Sequence, residues 1–499
     1  MTHTRVPHVP LLLMLGGVGV YLLSSDVVGA QSQKPEPNLA AGKAAYEQQC
    51  ARCHGLTGQG DGRDAKRFYP RPRNFVEGTY KFRSTESGMP PTEHDLFDTL
   101  TRGLPGSGMP DWRHLDESLR WQLVYYIQSL SSSSGTEQTP VSLGHDPGAK
   151  GADLAKGKPV YEKLGCAACH GPQGQANGSS ATTLVDNAGL PIRPANLTQG
   201  WNYRGGSDPR AIIQRVMTGL DGTPMPSYAE AVSPEDAWQL AYYVRSLQRQ
   251  PHWTMLVKAA HVDAAASWSL DDPRWAPVGA ADVRLRNAVT ANGEMTGPLS
   301  VSTVTVQAVY DAQALTLRVS WPDPLENREA SVDALALVFH SRAVAGDVIT
   351  LQAWPLKDSP VLDLVVWSAD WPHAQEAVVR EYEAIRAPTS HAASRASSAA
   401  YRDGMWTVVL TRPLSTEDPD AAQMAPGDFV PMAMAVWDGS NPTQRAVSGW
   451  IDVILQAPRP ASQPELDRSI YVVWVASAIA LLAGSLLALT RPTKRRRSE

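Results

Sequence analysis

Apolar and polar positions along the 499-residue chain change their spacing several times, and each change marks a boundary. An apolar run over 10–23 follows Arg5 and gives way to Val28-Gly29-Ala30 before Gln31, the layout of a secretory signal over 1–30 with small residues at its cleavage site. From 38 to 250 the spacing is helical, and the amphipathic stretches 120–130 and 237–247 are predicted to be the closing helices of two units, 38–131 and 151–250. A polar, Pro- and Gly-bearing stretch over 132–150 separates them as a flexible linker. After residue 259 the period falls to two. Leu315, Leu317, Val319 and Trp321 alternate with Thr316, Arg318 and Ser320, which predicts a strand buried on one face. The stretches 304–310, 334–339, 406–410 and 432–437 behave alike, and the Pro, Gly and Asp clusters between them predict an all-β, antiparallel sandwich over 259–457. The Ser/Ala-rich stretch 387–400 reads as a long loop.

Residues 470–489 are apolar or small throughout, long enough as a helix to cross a hydrocarbon layer of about 30 Å. Lys494-Arg495-Arg496-Arg497, in the basic tail 490–499, places that tail in the cytoplasm and the bulk of the chain outside. Signal and span together predict a single-pass protein of a bacterial inner membrane with its domains in the periplasm, and an uncleaved N-terminal anchor would leave them in the same compartment. The fold class expected is therefore multidomain: two all-α units, one all-β unit and one C-terminal transmembrane helix.

With 45 basic against 50 acidic residues and a formal charge of −5, the chain lacks the basic excess of a nucleic-acid binder. Its four cysteines all lie in Cys50-Ala51-Arg52-Cys53-His54 and Cys166-Ala167-Ala168-Cys169-His170, which leaves none for a disulfide framework. Each cluster is the CxxCH pattern of covalent haem attachment. Two thiols three positions apart on one helical turn reach the two vinyl groups of one porphyrin, and the following histidine reaches the iron. A zinc site or a thiol redox pair explains neither histidine, and no βαβ pattern surrounds the clusters.

The clusters are offset by 116 residues and their surroundings repeat. The stretch 101–110 matches 217–226, so that Met109 and Met225 each follow their histidine by 55 positions. That symmetry makes Met109 and Met225 the predicted second iron ligands, opposite His54 and His170, where a thioether favours reduced iron. Met89, His94 and His114 are rivals for the first iron, but Gly205, Arg210 and Glu230 stand at their counterparts.

These residues resemble class I cytochrome c domains in tandem. The resemblance implies two covalently bound haems c held by Cys50, Cys53, His54, Cys166, Cys169 and His170. It also implies an N-terminal helix crossing the closing helix, with Gly42 and Tyr46 against Trp121 and Tyr125, and Gly157 and Tyr161 against Trp238 and Tyr242. Arg73, Asn74, Arg83, Asn196 and Arg204 are the expected holders of haem propionates.

In the β region, Leu317-Arg318-Val319-Ser320-Trp321-Pro322-Asp323-Pro324, Asp403-Gly404-Met405-Trp406-Thr407-Val408 and Ala435-Val436-Trp437-Asp438-Gly439-Ser440 resemble the haem-binding domain of ethylbenzene dehydrogenase and related γ subunits of molybdopterin oxidoreductases. Members of that family bind haem b between a methionine and a lysine. Here those positions fall on Ala345 and Arg445, and an arginine that keeps its proton is a poor iron ligand. Lys258, Lys357, His340, His373 and His391 are the remaining candidates. Without haem b the domain is expected to be a docking module. The resemblances imply a membrane-anchored periplasmic dihaem cytochrome that exchanges electrons with a molybdopterin or iron–sulfur oxidoreductase and is not catalytic alone. Two other functions compete: a dihaem peroxidase or thiosulfate-oxidising enzyme, and a β-domain that binds carbohydrate on a platform of Trp354, Trp367 and Trp371.

Overall fold

The computed structural model describes residues 34–131, 138–288, 293–295, 297–340, 362–379, 393–395, 397–441 and 445–456. The expected signal, the span over 470–489 and the basic tail lie outside the described residues, and among those described no helix is long and apolar enough to cross a membrane.

The first helical unit comprises α1 (Leu39–Gln49), α2 (Ala51–His54), α3 (Glu93–Arg102) and α4 (Glu117–Ser129). The second comprises α5 (Gly148–Gly151), α6 (Leu154–Lys163), α7 (Ala167–His170), α8 (Pro209–Thr218) and α9 (Pro234–Ser246). Start signals are explicit: Thr92 and Asp95 form a reciprocal capping box on α3, and Asp208 and Ser233 cap α8 and α9 before prolines at the first helical turn.

Helix α1 crosses α4 at Gly42, where a Cβ would lie 2.2 Å from the carbonyl oxygen of Gln122, and α6 crosses α9 at Gly157 with the same 2.2 Å to Gln239. Only a hydrogen fits there. The crossing register is one residue beyond the expected one: Tyr46 meets Tyr126 at 5.2 Å between ring centroids, and Tyr161 meets Tyr243 at 5.7 Å. A step of one residue turns about 100° around a helix, so Trp121 faces α3 instead and stacks on Phe97 at 4.2 Å.

Each unit has its own core, one around Tyr46, Leu123 and Val124, the other around Tyr161, Ile213 and Trp238. The connection between them is less free than its composition implied. Val141 donates its N–H to Ser84 O (2.8 Å) in the first unit, while Leu143 accepts from Trp238 Nε1 (2.7 Å) in the second. Val141 and Leu143 also pack on the second core, so two apolar residues in a polar stretch suffice to pin it.

The β-domain contains β1 (Leu256–His261), β2 (Ala281–Asn287), β3 (Thr303–Tyr310), β4 (Ala314–Pro322), β5 (Ala334–His340), β6 (Leu362–Ser368), β7 (Ala374–Val379), β8 (Ala393–Arg395), β9 (Ser397–Arg402), β10 (Met405–Pro413), β11 (Phe429–Trp437), β12 (Arg445–Ser448) and β13 (Ile451–Leu455). One layer runs β2-β3-β4-β10-β9 and the other β8-β7-β6-β5-β11-β12. The layers join where β2 also pairs with β12, and where β1 runs parallel to both β3 and β13. Between them lie Trp321, Trp367, Trp406, Phe339 and Met434, all buried.

Part of the expected loop over 387–400 is strand. Ser397–Arg402 pairs with β10 through a two-residue turn at Asp403 (φ 52°) and Gly404 (φ 72°), a Asp-Gly hairpin of the primed type. Small Ser and Ala side chains conceal such a strand from a search for β-branched residues.

Arg412 is buried between the layers, donating to Asp363 Oδ2 (2.7 Å) and Glu376 Oε1 (3.0 Å). Burial pushes the Asp363 carboxyl up from 3.8 to about 7, with Arg412 opposing and Glu376 reinforcing the shift. A carboxyl raised in the folded state contributes stability that is fully present below about pH 4 and is lost as pH rises through 7. The β-domain is therefore expected to melt at a lower temperature at pH 8 than at pH 6 by circular dichroism, and Asp363→Asn is expected to reduce that dependence.

Candidate functional site

In both helical units a single turn of helix carries the CxxCH residues. Cys50 O accepts from His54 N at 2.9 Å, and Cys166 O accepts from His170 N at 2.9 Å, so each turn closes on its own histidine. The turn ends at Gly55 (φ 80°) or Gly171 (φ 79°), and the carbonyl there accepts from Tyr46 Oη (2.8 Å) or Tyr161 Oη (2.6 Å). Positive φ at this end is the geometry that favours glycine.

His54 Nδ1 lies 3.0 Å from Arg73 O, and His170 Nδ1 lies 2.8 Å from Ala195 O. A carbonyl can only accept, so each Nδ1 carries the proton and each Nε2 keeps a free lone pair, as a histidine metal ligand requires. Burial holds both imidazoles below their usual pKa and keeps them neutral. His54 also stacks on Phe75 with centroids 4.4 Å apart.

All four cysteines are unpaired. Burial pushes Cys50 up to about 12 and Cys166 up to about 11, which disfavours the free thiolate that thiol redox chemistry would use.

Met109 and Met225 occupy matching loops. Each backbone N–H donates to a hydroxyl two residues back, Ser107 or Thr223, at 3.2 Å. Each carbonyl accepts from Leu104 or Leu220 at 3.0 Å, and the loops leave α3 and α8 at Gly103 (φ 63°) and Gly219 (φ 69°). Met109 packs on the first core, whereas Met89 is 39% exposed and His94 and His114 are exposed.

The expected propionate holders divide into two groups. Arg83 is buried and already engaged, donating to Asp221 Oδ1 (2.7 Å), Thr218 O (2.8 Å) and Tyr80 O (3.0 Å). Asn74 and Asn196 accept from backbone N–H groups two residues on, at 3.0 Å each, and so cap local turns rather than face a ligand. Arg73 and Arg204 make no ion pair or side-chain hydrogen bond among the described residues. Lys81, which the sequence did not single out, joins them: burial and the charges of Arg73 and Arg204 push it down to about 8. Contacts across the two units bring these cations together, since Phe82 lies over Gly205 and Thr79 lies against Gly222.

Three half-buried cations with no ion pair within 4 Å among the described residues, although Asp186 and Glu77 lie further off, two imidazoles with Nε2 atoms available and two pairs of unpaired thiols form a donor set that fits haem c. The thiols would form thioethers, Nε2 would meet iron, and carboxylates of the porphyrin would neutralise Arg73, Lys81 and Arg204.

In the β-domain Arg445 lies over the Trp437 ring at 5.6 Å, where its charge faces an aromatic ring. Lys258 and His373 are exposed, and His340 packs near Trp450 at 6.1 Å. Ala345, Lys357 and His391 lie outside the described residues. The aromatic platform that the competing carbohydrate reading requires is not seen among the described residues: Trp367 is 4% exposed and meets Trp406 at 5.0 Å in a Trp-rich core, and Trp371 is half-buried, while Trp354 lies outside the described residues. The alternation of β6 points Trp367 inward.

The profile of the family described as cytochrome c oxidase, cbb3-type, subunit III matches residues 37–127 and again 152–244. The ethylbenzene dehydrogenase profile matches residues 365–447. A cbb3-type cytochrome c oxidase subunit CcoP from Azospirillum sp. (strain B510) is 30% identical over 216 residues, which is 42% of this chain and 62% of the relative. This chain thus spans less than two thirds of that relative's length. The chlorate reductase subunit gamma of Ideonella dechloratans is 26% identical over 172 residues, 34% of this chain and 69% of the relative. A solved chain from the reducing HAO-like protein complex of Kuenenia stuttgartiensis is 40% identical over 42% of this chain and 96% of its own, with a TM-score of 0.40.

Proposed function

We propose that this chain, in which two cytochrome c domains are joined to an ethylbenzene dehydrogenase-type domain, is a membrane-anchored periplasmic dihaem cytochrome that exchanges single electrons with a respiratory molybdopterin oxidoreductase. The duplicated CxxCH turn, with its histidine tied through Nδ1 and a matching methionine loop, carries the reading. Haem c, once attached, supplies the one-electron couple.

The chain's own residues do the rest. Cys50 and Cys53, and Cys166 and Cys169, fix each porphyrin, while His54 and His170 present Nε2. Met109 and Met225 would offer thioethers to the iron, which would leave no ligand position for peroxide. Arg73, Lys81 and Arg204 hold carboxylates at the junction of the two units. The β-domain is a haem-free docking module, a reading supported by Arg445 standing where the family has lysine. The signal predicted over 1–30 and the span predicted over 470–489 support a periplasmic location for the domains.

A pyridine haemochrome spectrum combined with acid–acetone extraction tests this. Two haems per chain that stay with the protein, a low-spin spectrum indifferent to peroxide, and nothing extracted are the expected results. An extractable b haem would overturn the docking reading, and a peroxide-reactive iron would favour the peroxidase. Replacing Cys50 and Cys53 by Ala is expected to halve the covalent haem. Lys81→Gln is expected to lower the midpoint potentials by tens of millivolts, because removing a nearby cation favours oxidised iron; redox titration measures it.

A further inference from the structure

Three aspartates meet at one end of the β-sandwich. Asp323 directly follows β4, Asp333 directly precedes β5 and Asp438 directly follows β11. Each offers a carboxylate oxygen within 4.8 Å of the other two, and their residues are 0%, 0% and 4% exposed. Water therefore does not relieve their charge.

The hydrogen bonds around them leave a deficit. Asp333 is served by Gly439 N (2.8 Å), Asn327 N (2.7 Å) and Trp406 Nε1 (2.9 Å). Asp438 is served by Ser440 N (2.8 Å) and the Ser440 hydroxyl on one oxygen and by Arg193 Nη2 (3.2 Å) on the other. Asp323 receives Leu325 N (3.2 Å) on Oδ1, and among the described residues its Oδ2 has no hydrogen-bond partner although Asp323 is wholly buried. A second buried oxygen without a partner, Asn327 Oδ1, belongs to the loop that packs on Gly439. Among the described residues Arg193 is thus the one cation bonded to these three carboxylates, with Glu326 and the Tyr401 phenol also close by. Trp321 Nε1 stands close enough to Asp323 to favour its charged form, yet it does not reach hydrogen-bond geometry with any described residue.

We propose that Asp323, Asp333 and Asp438 hold a hard divalent cation of the calcium class. Buried carboxylates need an opposing charge. A proton shared between two of them removes one charge and needs oxygens about 2.5–2.7 Å apart. A divalent ion removes two and accepts oxygens up to about 4.8 Å apart, the span of two bonds of about 2.4 Å. The donors are oxygens without a nitrogen or sulfur ligand, which suits calcium rather than zinc, and Asn327 Oδ1 adds a neutral oxygen from the same loop.

The site also ties two domains together. Arg193, which bonds Asp438, stands two residues before Ala195, whose carbonyl orients His170. Gly404 O accepts from Asp323 N (2.9 Å), and its neighbour Asp403 O accepts from Asn177 Nδ2 (3.1 Å) of the second cytochrome domain. A bound ion would fix both contacts to that domain.

The haem-loaded chain tests this. After chelation with EGTA and desalting, calcium titration calorimetry on the wild type should show one site, and elemental analysis of calcium-exposed, desalted protein should find one calcium per chain. Thermal unfolding of the β-domain should rise by roughly 5 °C in saturating calcium. Asp323→Asn should lose the ion with the haem-to-protein ratio unchanged, and the milder Asn327→Ala should bind roughly tenfold more weakly. A flat calorimetric titration together with an unchanged melting temperature overturns the site, in favour of a shared proton. Unchanged affinity in both variants overturns the assignment of these residues, and binding of magnesium but not calcium overturns the class of ion. The haem spectrum reports separately on the cytochrome reading.

Discussion

A Met225→His chain is expected to keep two covalent haems and to show one midpoint potential lowered by more than roughly 0.1 V, with the other nearly unchanged. The thioether is a weak donor that favours reduced iron, and imidazole in its place favours oxidised iron. The loop geometry makes the substitution a test of ligation rather than of folding. Met225 is held through its backbone, by Thr223 Oγ1 and Leu220 N, so the side chain can change while the loop persists. The same change at Met109 is expected to lower the other potential, because its loop is a copy. Redox titration followed in the visible spectrum measures both, and loss of the methionine-to-iron charge-transfer band provides an independent signature. If Met109→His left both potentials in place while Met89→Leu moved one, the exposed Met89 would be the first ligand and the repeat argument would fail.

Repetition at a fixed offset exposed the CxxCH turns, the methionine loops and both closing helices, because covalent chemistry and ligand spacing constrain residues along the chain. Alternation located β3, β4, β5, β10 and β11, whose buried faces are rich in Val, Leu and Trp. Features that depend on partners distant in sequence were harder to see. The one-residue shift that sets Gln122 rather than Trp121 beneath Gly42 is a matter of helix rotation, and both residues are compatible with burial. Lys81 looked like any surface lysine until folding set it beside Arg73 and Arg204. Asp323 and Asp333 stand at the two ends of the β4–β5 connection and Asp438 follows β11, so their convergence depends on the order of strands in the sheet. Composition favoured a core place for Trp367, but β6, the strand that turns it inward, lies outside the strands that alternation identified.

Arg83 gives the second large expected effect. It is 2% exposed and spans the two cytochrome domains, with its guanidinium bonded to Asp221, Thr218 O, Tyr80 O and, through Nε, Glu86 O (3.1 Å). Asp221 in turn accepts from Ser87 Oγ and Gly88 N, both at 2.8 Å, and Arg83 O accepts from Gln214 Nε2 at 2.9 Å. Arg83→Ala leaves three carbonyls and a carboxylate facing a cavity, and breaking one side of a buried pair costs about 3–5 kcal/mol. Because the bonds cross between domains, the cost should fall on their interface rather than on either core. Calorimetry is expected to show the two cytochrome domains melting apart, where the wild type melts them together. Asp221 sits on the chain between α8 and Met225, so the loosened interface should also broaden the redox titration of the second haem. Asp221→Ala alone leaves an uncompensated guanidinium and should cost a comparable amount. The double variant should then be more stable than the sum of the single losses implies, by more than about 1.5 kcal/mol. A single transition shifted by less than about 1 kcal/mol in Arg83→Ala would mean that the cations and the pinned segment around Val141 hold the domains together without it.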